Sequence, residues 1–206
     1  MADLTQSAFK RIIQNNLYKT MDIHEKYQLL TRETVELSRK DRFDFEPYIL
    51  KTDCWNEAHQ VFSIAPLFRN IICVDAWDEK VAMARKLGYR IDKGDVTALP
   101  YSNDNFDVVI DLSTIDHVEN YNKALDEYDR VLVSGGYILI CCWFNKTPEF
   151  QNEGNPMLDQ FYFVYDFFKK DFERHFELIK TANVVDDGPI QAHNVHAMGY
   201  LIGRKK

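Results

Sequence analysis

The sequence predicts an α/β fold: a doubly wound, seven-stranded, mostly parallel sheet with a C-terminal antiparallel strand pair and an N-terminal helical segment. Three observations predict it. Between residues 48 and 144, strand-like runs alternate with helix-like stretches, the pattern of right-handed crossovers with helices on both faces. Three of those runs, "NIICVDAW", "FDVVIDLS" and "YILICCWF", are largely apolar, as strands buried on both sides are. The last two strand-like runs have no helix between them and read as an antiparallel pair.

Residues 6–40 are expected to be helical, because Leu17, Met21, His24, Tyr27, Leu30, Thr34 and Leu37 recur at three- and four-residue spacing in a charged background. "YILKT" is a brief strand, and "WNEAHQVFSIAPLF" a helix that Pro66 breaks. "NIICVDAW" is a buried strand closed by Asp75. "WDEKVAMARKLGY" follows as a helix, with Asp78 and Glu79 near its N-terminus and Gly88 past its end. "YRIDKGD" reads as a short strand, "VTALPYSNDN" as a loop and "FDVVIDLS" as a buried strand. The amphipathic helix "NYNKALDEYDRVLV" is expected to end at Ser134-Gly135-Gly136, before the strand "YILICCWF". Residues 145–160 read as a polar, turn-rich loop too long to be only a connection. The helix "YDFFKKDFERHF" and the strands "ELIKTANVV" and "VHAMGYLIGRK" complete the pattern, which leaves the strand order open.

At 206 residues the chain is read as one domain with a full core. Its net charge of −7 argues against nonspecific binding to nucleic acid or anionic membranes, since phosphate affinity comes from Lys and Arg. No apolar run is long enough to span a bilayer, and "MADLTQSAFKRIIQNN" is too polar for a signal peptide. A cytoplasmic location follows as the expectation. Cys54, Cys73, Cys141 and Cys142 have no metal-ligand spacing and read as reduced core cysteines; no metal is expected.

Open α/β sheets bind ligands outside the carboxyl ends of their strands, where the strand order reverses. That directs attention to Thr52–Glu57, Asp75–Trp77, Asp95–Val96 and Asp111–His117. Carboxylates at such strand ends can accept hydrogen bonds from hydroxyls or amines. His117 is the sharpest candidate general base, with Asp116 beside it to orient it or act in its place. Trp55 and Trp77 read more readily as packing than as stacking residues.

"CVDAWDEKVAMARKLGYRIDKGDVTALPYSNDNFDVVIDLSTIDHV", with "LDEYDRVLVSGGYILI" after it, resembles the Rossmann-like class I S-adenosylmethionine-dependent methyltransferases, nearest the branch that methylates quinones and other small molecules. The resemblance implies S-adenosylmethionine as cofactor and a small-molecule acceptor. By position it implies that Asp75 holds the ribose hydroxyls and Ala76 lines the adenine face. Asp95 would accept the adenine amine, Val96 would offer a backbone amide, and Asp111 and Leu112 would lie beside the methionine part. It also implies a division into residues 1–46 as a helical cap, 47–144 as the cofactor-binding core and 145–206 as the substrate side.

One stretch departs from the family pattern. Where an acidic residue and alternating glycines are expected, this chain has Lys51 and then Asp53, Trp55 and Glu57; its first glycine is Gly88. Two outcomes are compatible with that. The loop is rebuilt, with Asp53 or Glu57 meeting the methionine ammonium and Thr52 or Asn56 its carboxylate; or the pocket is blocked and the chain is a non-catalytic binding or regulatory protein. A third reading keeps the fold and uses a different nucleotide ligand.

Overall fold

The computed structural model describes residues 21–41, 46–60, 63–151, 159–190 and 196–206. Its elements are helix α1 (Ile23–Asp41), β1 (Ile49–Lys51), α2 (Trp55–His59), β2 (Ile71–Asp75), α3 (Asp78–Lys86), β3 (Ile91–Lys93), β4 (Phe106–Leu112), α4 (Tyr121–Val131), β5 (Leu132–Phe144), β6 (Glu149–Gln151), β7 (Gln160–Tyr162), α5 (Tyr165–His175), β8 (Phe176–Asn183) and β9 (Ala197–Lys205), with 3-10 turns at Ala65–Leu67 and Ile115–His117. The expected helical residues 6–20 lie outside the described residues.

Seven strands form one sheet in the order β3-β2-β1-β4-β5-β9-β8. β3 through β5 run parallel, and β9 runs antiparallel to both β5 and β8. The order reverses between β1 and β4. Strand side chains alternate between two buried layers, as the pleat requires. Ile49, Cys73, Val108, Ile110 and Cys141 pack under α1 and α3, through Leu30, Val35, Val81 and Ala84. Leu50, Val74, Val109, Ile140 and Cys142 pack under α4 and α5, through Leu125, Tyr128, Phe168 and Phe172. The adjacent Cys141 and Cys142 therefore belong to opposite cores, and all four cysteines are buried thiols.

Three local expectations are corrected. The helix expected from residue 55 to Pro66 stops at His59, because Gln60 turns left-handed (φ 55). The returning chain is then held by Glu57, whose Oε1 accepts from the amides of Ile64 and Ala65 at 2.9 and 3.0 Å. Second, α4 ends at Val131 and β5 begins at once. Residues 133–136 bulge out of register, with Phe106 opposite Leu132 but Val108 opposite Tyr137. Gly135 supplies φ +72 there, and a side chain at Gly136 would stand 2.9 Å from the Val133 carbonyl oxygen. Third, the stretch read as a loop over 145–160 carries β6, which pairs antiparallel with β7 in a second, two-stranded sheet.

Helix α1 lies across the sheet and is tied to the C-terminal strands. Lys26 Nζ donates to the Val185 carbonyl (2.7 Å), Tyr27 Oη to Met198 Sδ (3.0 Å), and Lys180 pairs with Glu33 (3.2 Å). Among the described residues no helix is long and apolar enough to cross a membrane, and no cluster of three His, Cys, Asp or Glu could hold a metal.

Candidate functional site

A cavity of about 930 Å³ opens over the carboxyl ends of the strands, at the reversal between β1 and β4. Its lining changes character along the sheet. Over β3, β2 and β1 it is made by Gly94, Asp95, Val96, Asp75, Ala76, Trp77, Thr52 and Asp53. Over β4, β5 and β9 it is made by Leu112, His117, Val118, Trp143 and Met198, with Ile23, His24 and Tyr27 of α1 as a roof and Val185 closing the side.

Lys51 answers for the missing glycines. It ends β1 on the α1 side of the sheet, fully buried. Its ammonium sits 2.7 Å from Asp53 Oδ1, 2.9 Å from the Asp53 carbonyl oxygen and 3.2 Å from Glu57 Oε2. The Glu57 contact is an ion pair without hydrogen-bond alignment. Burial alone would discharge the lysine, but Asp53 and Glu57 outweigh it and hold the ammonium well above its ordinary 10.5. Glu57 is pushed up by burial, yet Lys51 and the two amides bring it below its usual range. Lys51 does not line the cavity; Asp53 does. Asp53 Oδ1 also accepts from the Trp55 amide (2.9 Å), whereas its buried Oδ2 has no hydrogen-bond partner among the described residues. A buried carboxylate oxygen beside a cavity is a ready acceptor for a cation.

Asp75, at the end of β2, is nearly buried and ties two loops together. Its Oδ1 accepts from the Trp77 amide (2.9 Å), and its Oδ2 from the Cys54 amide (3.1 Å) and thiol (3.2 Å). A carboxylate has about four acceptor positions, so this one is oriented and not exhausted. Burial first, then Asp75, pushes the Cys54 thiol far up, so it stays protonated. Asp95 is exposed and closes an Asx turn, its Oδ1 accepting from the Thr97 amide and hydroxyl, both at 2.7 Å. The loop that follows is pinned from α4: Glu127 accepts from the Leu99 amide (2.6 Å), and Arg130 donates to the carbonyls of Leu99 (3.1 Å) and Tyr101 (2.7 Å). A Cβ on Gly94 would stand 2.7 Å from Pro100 Cδ, so only glycine lets this loop approach β2.

Thr52, Asp53, Asp75, Ala76, Asp95, Val96, Leu112 and His117 thus surround one cavity. Asp111 and Asp116 lie behind its wall, both fully buried. Asp111 Oδ2 accepts from the Tyr128 hydroxyl (2.6 Å) and Oδ1 from the amides of Thr114 (2.8 Å) and Ile115 (3.3 Å). Burial pushes its carboxyl up to about 7, against these hydrogen bonds. Asp116 accepts from the Ser113 hydroxyl (2.9 and 3.1 Å) and from Gln160 Nε2 (2.8 Å); burial raises it too. Neither carboxylate lines the cavity.

His117 is exposed at the cavity wall, and its Nδ1 lies 2.6 Å from the Asp159 carbonyl oxygen. A carbonyl can only accept, so Nδ1 carries the proton and the neutral ring offers Nε2 as acceptor. Trp55 and Trp77 are not packed away: both line the cavity, at 42% and 44% exposure. Trp143, Val185, Met198 and Gln160 carried no sequence signal, because each reaches the site through pairings between distant segments.

A family profile described as "Methyltransferase domain" matches residues 56–140. The "Uncharacterized methyltransferase YcgJ" of Bacillus subtilis (strain 168) is 28% identical over 110 residues, 50% of this chain and 41% of that protein. The mitochondrial 2-methoxy-6-polyprenyl-1,4-benzoquinol methylase of Xenopus laevis is 38% identical over 74 residues, 36% of this chain and 22% of that one. A TehB-like SAM-dependent methyltransferase from Corynebacterium glutamicum shares the fold at a TM-score of 0.60 and 16% identity, over 97% of each chain. Residues 56–140 therefore match a methyltransferase domain profile, and the chain has the fold of solved S-adenosylmethionine-dependent methyltransferases. Its matches span less than half the length of these two curated relatives.

Proposed function

We propose that this chain transfers a methyl group from S-adenosylmethionine to a small, largely apolar acceptor. The observation that carries the reading is the graded cavity, acidic over β3-β2-β1 and largely apolar over β4-β5-β9, with His117 in its wall and His24 in its roof. Its volume of about 930 Å³ lies at the upper end of the ~300–1,000 Å³ typical of ligand pockets, which suits two molecules side by side.

S-adenosylmethionine, when bound, supplies a methyl group activated on a sulfonium. Asp75 would hold the ribose hydroxyls, with Ala76 and Val96 against the base and Asp95 toward its amine. Asp53 Oδ2, buried and unpartnered among the described residues, would take the ammonium, and Thr52 would stand by the carboxylate. These positions fit a ligand that carries two positive charges and one negative. The acceptor would lie among Tyr27, Leu112, Val118, Trp143 and Met198, and His117 would receive its proton on Nε2. Such a site works by alignment and exclusion of water, with a base where the nucleophile needs one.

The glycine-free first loop favours a second reading, a methyltransferase-like binding protein without turnover. The inward turn of Lys51 supports the first instead, since it leaves the cavity open beside Asp53. Calorimetric titration with S-adenosylmethionine and S-adenosylhomocysteine tests the pocket. Micromolar affinity is expected, weakened roughly tenfold to a hundredfold in Asp75→Asn, the usual worth of a hydrogen bond to a charged group. Absence of heat at millimolar ligand would overturn the cofactor assignment. Binding without methylation of any member of a small phenol, amine and quinol panel would favour the second reading.

A further inference from the structure

The hairpin β6–β7 stands outside the main sheet, and its two ends are fastened differently. At the Tyr162 end the backbone ties it to β5, where Phe163 donates to the Trp143 carbonyl (3.0 Å) and accepts from the Asn145 amide (2.9 Å), and Asn145 Nδ2 donates to Glu149 (2.6 Å). At the Gln160 end a side chain holds it, through Gln160 Nε2 and Asp116 Oδ2 at 2.8 Å. The residue just before Gln160 is Asp159, whose carbonyl accepts from His117 Nδ1.

Asp116 needs an explanation of its own. A fully buried carboxylate is costly and persists only when its oxygens are filled. It does not line the cavity, so it does not face a ligand. Its partners are Ser113, which adopts the left-handed φ of 70 that a serine seldom takes, and Gln160. Strain of this kind persists where the surroundings over-determine the backbone, and it gathers at working sites. Asp116 and His117 are consecutive in the 3-10 turn Ile115–His117. The turn therefore grips the hairpin twice in succession, once by Asp116 on the Gln160 side chain and once by His117 on the Asp159 carbonyl.

We propose that Gln160, anchored on Asp116, is a positioning residue that sets the Asp159 carbonyl where it holds the proton on His117 Nδ1, leaving Nε2 as the base facing the cavity. The role assigned to Nε2 rests on the methyl-transfer reading; the tautomer itself does not. Without the Gln160 anchor, the Asp159 carbonyl is held less closely against His117 and the ring exchanges tautomers more readily. The coupling resembles that of metal-binding histidines, whose second nitrogen is set by an outer partner.

The test reads the imidazole nitrogens of His117 by long-range ¹H–¹⁵N correlation on the full chain at a pH where the ring is neutral, assigned by difference against His117→Gln. The Nδ1–H form is expected to dominate in the unaltered protein and to become the minor form in Gln160→Leu, a substitution at a half-buried site. Asp116→Asn, which keeps a side-chain carbonyl for Gln160 Nε2, is expected to retain the Nδ1–H form. An unchanged tautomer in Gln160→Leu would overturn the proposal, as would loss of the Nδ1–H form in Asp116→Asn with the anchor variant unaffected. Turnover then judges the base separately: kcat in Gln160→Leu should fall roughly tenfold or more with cofactor Kd unchanged. A shifted tautomer with full kcat would leave the positioning intact and remove His117 from the chemistry.

Discussion

Asp111 interrupts the apolar run of β4, and its two oxygens are filled by Tyr128 and the amides of Thr114 and Ile115. Its carboxyl is nevertheless pushed from an ordinary 3.8 up to about 7, because burial outweighs those bonds. The folded protein thus holds this proton more tightly than the unfolded chain does. Folding takes up a proton between about pH 4 and 7, so this group's contribution is greatest at the acid end and declines as pH rises through that window. A carboxyl that titrates one pH unit higher in the fold than in the unfolded chain contributes about 1.4 kcal/mol at the acid end. In Asp111→Asn, urea midpoints measured from pH 4 to 7 should lose that downward component, leaving a flatter or rising profile relative to the parent. An identical slope in both proteins would mean that Asp111 does not titrate differently on folding. At this scale the sequence was half legible. Asp75 could be located because a strand end announces itself by an apolar run that stops, whereas Asp95 follows the mixed run "YRIDKG" and is marked by the family resemblance. The partners of Asp111 and Asp116 could not, since Tyr128 and Gln160 reach them only through tertiary packing.

The first loop shows the same contrast at the level of an element. "YILKTDCWNEA" announced a strand, a turn and a helix, and it announced the absence of glycine. It could not announce that Lys51 would turn inward and gather Asp53 and Glu57, nor that Glu57 would fold the chain back at Gln60 and cut the helix short. Likewise β6 and β7 are three residues each and carry polar side chains, too short and too mixed for any periodicity to mark. The long parallel strands needed no such help. Lys51→Met tests the cluster: it strands two carboxylates in a buried place and should cost about 3–5 kcal/mol of unfolding free energy. Adding Glu57→Gln should cost less than the sum of the two single changes, by roughly 0.5–3 kcal/mol in a denaturation cycle. Strict additivity would show that the ion pair contributes no coupling.

Across the whole molecule, helix α1 and the segment around Val185 and Met198 close the cavity over strands that lie at the middle of the sheet. A ligand seated there touches both ends of the described chain and its centre, so its binding should be felt as global stability. At a hundred times Kd, S-adenosylhomocysteine should add about 2.7 kcal/mol. For a domain of this size that corresponds to a rise of roughly 5–11 °C in Tm, readable by scanning calorimetry and much reduced in Asp75→Asn. No rise at saturating ligand would separate the pocket from the fold's stability. The architecture itself was legible early, from the alternation of elements; the strand order was not, because contiguous apolar runs specify burial and say nothing of neighbours.

That order has a consequence in time. β9 sits between β5 and β8, although both of those strands precede it in the chain. Until residues 197–205 arrive, β5 and β8 each present an open edge with nothing to pair across the gap. The nascent sheet must wait for its most distant partner, and closing that gap is a high-contact-order step, slow by nature. The interval before it is when this chain is most exposed to other copies of itself, so refolding yield should fall with protein concentration more steeply than the stability of the finished fold would suggest.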